Sequence, residues 1–217
     1  MNIQTRREIR FGMIALALSG LLFTLGAALR GQVDLIDLGS YVIRAALAPN
    51  YVPGWTIILV GGVLQIYRTF CLYRYLTYQA ENLIAFLALV LRIGGLALAS
   101  PLITFLALNA PVTAQLYQQG NQEVLAVVNA NFTSPLGLAL LSVGAGAATI
   151  GVIPFAIAIW RDGRLAKWTA VLFVLGVLLQ PFASIFMIEL LGLVLVLIST
   201  GMMAWKGWQE SAVGAGQ

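Results

Sequence analysis

Apolar runs that thread a bilayer six times organise this chain, the last two passes falling within one stretch that has no obvious polar loop between them. The six passes fall at 11–29, 54–73, 82–108, 135–160, 168–183 and 188–205. A hydrocarbon core of about 30 Å needs about 20 helical residues at a rise of about 1.5 Å each. The pattern therefore predicts an all-α polytopic membrane bundle of about six transmembrane helices, built as one integral membrane domain.

Local chemistry refines the ends. Arg6, Arg7 and Arg10 precede the first run, which is longer than the roughly 7 to 15 apolar residues of a cleaved leader and reads as a retained anchor. Asp34 and Asp37 among Val33, Leu35, Ile36, Leu38, Tyr41 and Val42 predict a short amphipathic surface helix, ended by Pro49 and Pro53. Pro101 removes a backbone donor from the third run, predicting a kink or an early stop in its outer half. Segment 109–134 holds no Lys or Arg and has room for a surface helix. Ser134 before Pro135 has the cap and first-turn chemistry of a helix start. The stretch from Trp168 to Trp205 must cross twice in ~56 Å of helix, with Gln180, Pro181, Ser184 and Glu189 as its only interruptions. The reversal is placed near Pro181 to Ile188.

Composition excludes a soluble domain: 60% of residues are hydrophobic, 9% are charged, and the mean hydropathy is +0.93. Of the 12 basic residues, Arg6, Arg7, Arg10, Arg68, Arg74, Arg161, Arg164, Lys167 and Lys206 fall on one side of the threading. Arg30 and Arg44 fall on the other, and Arg92 lies inside a span. The richer side is the cytoplasmic one, which places both termini in the cytoplasm. Trp55 outside and Trp160, Trp168, Trp205 and Trp208 inside read as interfacial anchors. The net charge of +4 then serves orientation and contact with lipid headgroups rather than nucleic acid. Cys71, the single cysteine, reads as a packing residue.

The inventory for catalysis is thin. The chain has no histidine, so the commonest general base and metal ligand is missing, and no metal site, cofactor or catalytic centre is predicted. Arg92 calls for explanation, since a charge near the midplane costs about 2.5 to 3.5 kcal/mol on insertion scales. Gln65 lies at nearly its depth and could hydrogen-bond to it. Glu189 is chemically the better partner, but its depth and the lean of its side chain place it at the outer interface. Gln180 could complete that outer polar layer. Gly95 with Ala99, Gly144 with Ala148, and Ala147 with Gly151 put small residues four apart, a spacing that permits close helix packing.

Several short segments in order resemble a bacterial family of multi-spanning membrane proteins, domain of unknown function 4386. They are Leu72, Tyr73, Arg74, Tyr75 and Leu76 at the end of span two, Arg92 within span three, and Leu165, Ala166, Lys167 and Trp168 before span five. Glu189 entering the last span and Trp205, Lys206 and Gly207 at its exit complete the set. The chain departs from that family's pattern at Gly95, where a glutamate is common, and at Ala166, where a proline is common. The resemblance implies a bacterial cytoplasmic-membrane protein and supplies no reaction. The leading expectation is a non-enzymatic interaction or accessory subunit, with membrane lipids and other membrane subunits as partners. The alternative is a small-solute or ion permease with an intramembrane polar cluster around Arg92.

Overall fold

The computed structural model describes residues 3–34, 37–78, 80–182 and 185–213, and helices are the only regular structure among them. They are α1 (Ile3–Arg30), α2 (Leu38–Ala45), α3 (Tyr51–Thr77), α4 (Leu83–Thr104), α5 (Ala110–Gln118), α6 (Glu123–Thr133), α7 (Pro135–Ile150), α8 (Val152–Asp162), α9 (Lys167–Leu179) and α10 (Phe186–Val213). A π-helical turn, Phe105–Asn109, joins α4 to α5, and a 3-10 turn, Gln180–Phe182, follows α9. The chain is an all-α membrane helix bundle.

Five stretches are long and apolar enough to cross a bilayer: Arg7–Arg30, Tyr51–Thr77, Leu83–Gln118, Pro135–Asp162 and Phe186–Gln209. The run at 168–183 differs, because α9 has only 13 residues. Pro181 cannot continue an α-helix, so the chain tightens into the 3-10 turn; together they rise roughly 26 Å. Residues 183 and 184, at the reversal placed near Pro181 to Ile188, lie outside the described residues.

The third stretch does not stop at Pro101, which lies inside α4. The Ser100 hydroxyl donates to the Ala97 carbonyl at 2.8 Å, occupying the acceptor that a residue-101 amide would have used. The helix runs on through the π turn, where the Ala110 amide reaches back to the Phe105 carbonyl. That longer reach lies next to Pro111, which has no amide to donate. Ser134 caps α7 by accepting from the Gly137 amide at 3.1 Å.

Arg10 stacks over Trp208, linking the start of α1 to the end of α10, and Arg164 covers Tyr75 and Tyr78 at the end of α3. The start of α1 and the end of α10 therefore lie at one end of the bundle, the basic end. Its core joins Ile9, Met13, Leu72, Phe155, Phe173 and Met203 from five helices. At the far end, α2 lays Tyr41 and Val42 onto Tyr51 and Trp55 of α3 and Ala110 of α5. Phe11, Val63, Leu136 and Met187 face outward, as side chains do when lipid is the solvent.

Small residues bring the helices into backbone contact. A Cβ on Gly95 would collide with the Ala148 amide nitrogen and come within 2.6 Å of the Gly144 carbonyl. One on Gly144 would meet the Ala99 amide at 2.8 Å, and one on Gly151 the Arg92 amide at 2.9 Å. Five of the six predicted packing residues thus build one α4–α7–α8 seam. Ala147 sits beside it, half-buried, with its carbonyl accepting from the Gly151 amide. The same device recurs, unpredicted, where Gly26 meets Gly54 and where Gly176 meets Gly192. Cys71 is buried against Gly12.

Candidate functional site

Two arginines, one predicted and one not, share a depth in the middle of the bundle. Counted back from Thr77, Arg68 lies ~14 Å inside α3; counted in from Leu83, Arg92 lies ~14 Å inside α4. They are 4% and 3% exposed, and Arg92 lies close enough for its charge to act on Arg68. Sequence reasoning set Arg68 at the cytoplasmic interface because it ended span two near Tyr73. The extra turn of α3, to Thr77, carries Arg68 deeper. The signal that could have found it is its register with Arg92.

Neither arginine has a carboxylate partner among the described residues. Arg68 donates from Nη1 to Ser19 Oγ at 2.9 Å, and its guanidinium lies 5.8 Å from the centre of the Phe173 ring. Ser19 in turn donates to the Leu16 carbonyl at 3.0 Å. Arg92 donates from Nη1 to the Ala148 carbonyl at 2.6 Å. Ala148 lies in the last turn of α7, just before the chain steps at Gly151 into α8. The carbonyls ending a helix carry partial negative charge and lack partners within it, so they suit a cation. Ser199 and Thr200 add buried hydroxyls on α10, both turned onto the Val196 carbonyl. A Cβ on Gly20 would meet Thr200 Oγ1 at 2.9 Å, which places these hydroxyls beside α1.

Gln65 is buried one turn from Arg68, but its side chain forms no hydrogen bond with Arg92. Its carbonyl accepts from Thr69 Oγ1 at 2.7 Å. The hydrogen bond expected between Gln65 of span two and Arg92 of span three is not formed; Arg92 turns to Ala148 instead.

Glu189 forms an ion pair with Arg30, tying the first turn of α10 to the end of α1. The pair is dry, with side chains 6% and 8% exposed. Arg30 also donates to the Gly31 carbonyl at 2.7 Å and lies 5.0 Å from the Trp55 ring centre. Trp55 is therefore buried beneath a guanidinium and is not an interfacial anchor. Tyr41 and Tyr51 close the box, their ring centres 6.1 Å apart, with Trp55 6.3 Å beyond. Burial pushes the Tyr41 phenol above its usual range and keeps it a neutral hydroxyl. Two sealed polar atoms in this box, Arg30 Nε and Glu189 Oε2, make no hydrogen bond, while Tyr41 Oη, Tyr51 Oη and Trp55 Nε1 face one another without good hydrogen-bond geometry. Gln180 opens the 3-10 turn with its amide against Gly192 and makes no bond to Glu189.

The polar residues thus form two stations, a mid-bundle layer around Arg68 and Arg92 and a far-end box around Arg30 and Glu189. Between them Thr24 Oγ1 donates to the Gly20 carbonyl and, at 3.4 Å, to the Leu193 carbonyl of α10. No three of His, Cys, Asp and Glu gather closely enough to hold a metal among the described residues.

No protein-family model matches the chain, and no curated protein or solved structure matches it.

Proposed function

We propose that this chain is a membrane permease for a small inorganic anion, bound between Arg68 and Arg92. The observation that carries the reading is a pair of buried guanidinium groups at one depth with no carboxylate partner among the described residues. Two like charges in a dry interior repel, and neither Ser19 Oγ nor the Ala148 carbonyl neutralises them. An anion between them supplies the missing charge. Kinship with the bacterial family of domain of unknown function 4386 and residence in a bacterial cytoplasmic membrane belong to this proposal. So does a cytoplasmic basic end, supported by Arg10, Arg74, Arg164 and Lys167 lying with the start of α1 and the end of α10.

The accessory-subunit reading keeps one observation in its favour. An apolar groove of about 440 Å³ opens between α8 and α9, lined by Ile153, Ile157, Trp160, Val171, Val174 and Leu175. A partner helix or an acyl chain would lie there.

Flux separates the two. Purified protein in lipid vesicles, challenged with chloride, nitrate, phosphate and sulfate, should carry at least one of them, and Arg68→Leu or Arg92→Leu should abolish that flux. Folded protein that carries none of the four would overturn the permease.

A further inference from the structure

We propose that Glu189 is a proton-binding site at the far end and that protonation there releases Arg30, opening a latch between α1 and α10. The inference rests on the far-end box alone and goes beyond the anion reading.

The latch joins residues 159 positions apart. The groups facing Glu189 are Arg30 from α1 and Tyr41 from α2, with Tyr51 and Trp55 of α3 behind them. Gln180 of the 3-10 turn is uncharged, so Arg30 is the only charge facing Glu189 among the described residues. With the carboxylate ionised, the box carries no net charge. One oxygen takes the Arg30 bond while the other, Oε2, is sealed without a donor. A proton from far-side water adds to Glu189, converting an acceptor-only group into a neutral acid with one O–H to donate.

Arg30 keeps its own proton, so the box would then hold one uncompensated positive charge away from water. That state is unfavourable, and a side chain must leave. Arg30 is the one able to do so. It is the last residue of α1, its stem is long, and the chain beyond it turns at Gly31 with φ +72° into non-helical backbone. Its departure leaves room for water against Trp55 and unties the ends of α1 and α10, the two helices that carry Ser19 and Thr200.

Trp55 is the natural reporter, since the guanidinium stacks on it. In a variant with Trp160, Trp168, Trp205 and Trp208 replaced by Phe, lowering the pH from about 9 to about 4, across the carboxylate range, should shift Trp55 emission reversibly to the red with one midpoint. Glu189→Gln, which cannot ionise, should show the acid-form emission at every pH. If the variant does not fold, 5-fluorotryptophan-labelled wild-type protein gives the same readout by fluorine NMR, with the Trp55 signal assigned from Trp55→Phe. A Trp55 signal flat across the range, or an unchanged transition in Glu189→Gln, overturns the latch. Neither result depends on anion flux, so the permease and the latch fail separately.

Discussion

Arg92 is bonded to Ala148 by a hydrogen bond of 2.6 Å from Nη1 to a backbone carbonyl, across a helix seam where backbones touch. The partner is a helix end, not an acid, and this fixes what removing Arg92 does. Leucine there leaves one carbonyl unpartnered, a cost of about 1 to 3 kcal/mol, and removes a buried charge that costs about 2.5 to 3.5 kcal/mol. These nearly offset, so Arg92→Leu should change stability by less than about 2 kcal/mol in either direction. Thermal unfolding in detergent measures it. A loss of about 3 to 5 kcal/mol, typical of stripping a buried ion pair of one member, would mean that the residue has an acidic partner.

Gly94 and Gly95 make a built-in comparison on one helix. A Cβ at Gly95 runs into backbone atoms of α7, which cannot swing aside, whereas a Cβ at Gly94 meets nothing within 4 Å. Gly95→Ala should therefore lower stability by about 1 to 3 kcal/mol or more, as overpacking does. Gly94→Ala should be neutral or mildly stabilising through helix propensity. Folded yield and unfolding temperature of the two variants, side by side, check the seam.

The bundle was legible because apolar length and end chemistry are local. Ser134 before Pro135 reads as a helix start in any context, and small residues four apart mark a face whatever it meets. Partners were less so. Nothing near Glu189 in sequence points to Arg30, because the chain returns to it only after the bundle closes. Arg68 was missed because its depth depends on how far α3 continues past Tyr73. The unbroken path through Pro101 depended on a neighbour, Ser100, whose hydroxyl replaces the lost donor.

The Arg30–Glu189 pair should behave as a buried ion pair that tolerates joint removal better than single removal. Arg30→Met leaves a carboxylate sealed in an aromatic box and should cost about 3 to 5 kcal/mol, while Arg30→Met with Glu189→Leu should recover part of that loss. A double-mutant cycle on unfolding free energy reads the coupling. Strict additivity would place the two side chains out of contact in the membrane-embedded protein.

Asp37 caps α2 by accepting from the Ser40 amide at 3.1 Å, and hydrogen bonds to Ser40 are the main cause holding its carboxyl below the ordinary value of 3.8. The sign of the pH effect follows. Since the folded value is depressed, the cap contributes fully above 3.8 and is lost as the pH falls through the lower folded value. Acidification should loosen α2 first at its N-terminal turn, and with it the roof over Tyr51 and Trp55. Asparagine caps equally well without titrating, so Asp37→Asn should keep α2 protected in acid. Hydrogen exchange at the Ser40 amide, compared between wild type and Asp37→Asn at matched intrinsic rates, tests this. Equal acid sensitivity in the two proteins would show that the helix is held by Tyr41 and Val42 packing and not by its cap.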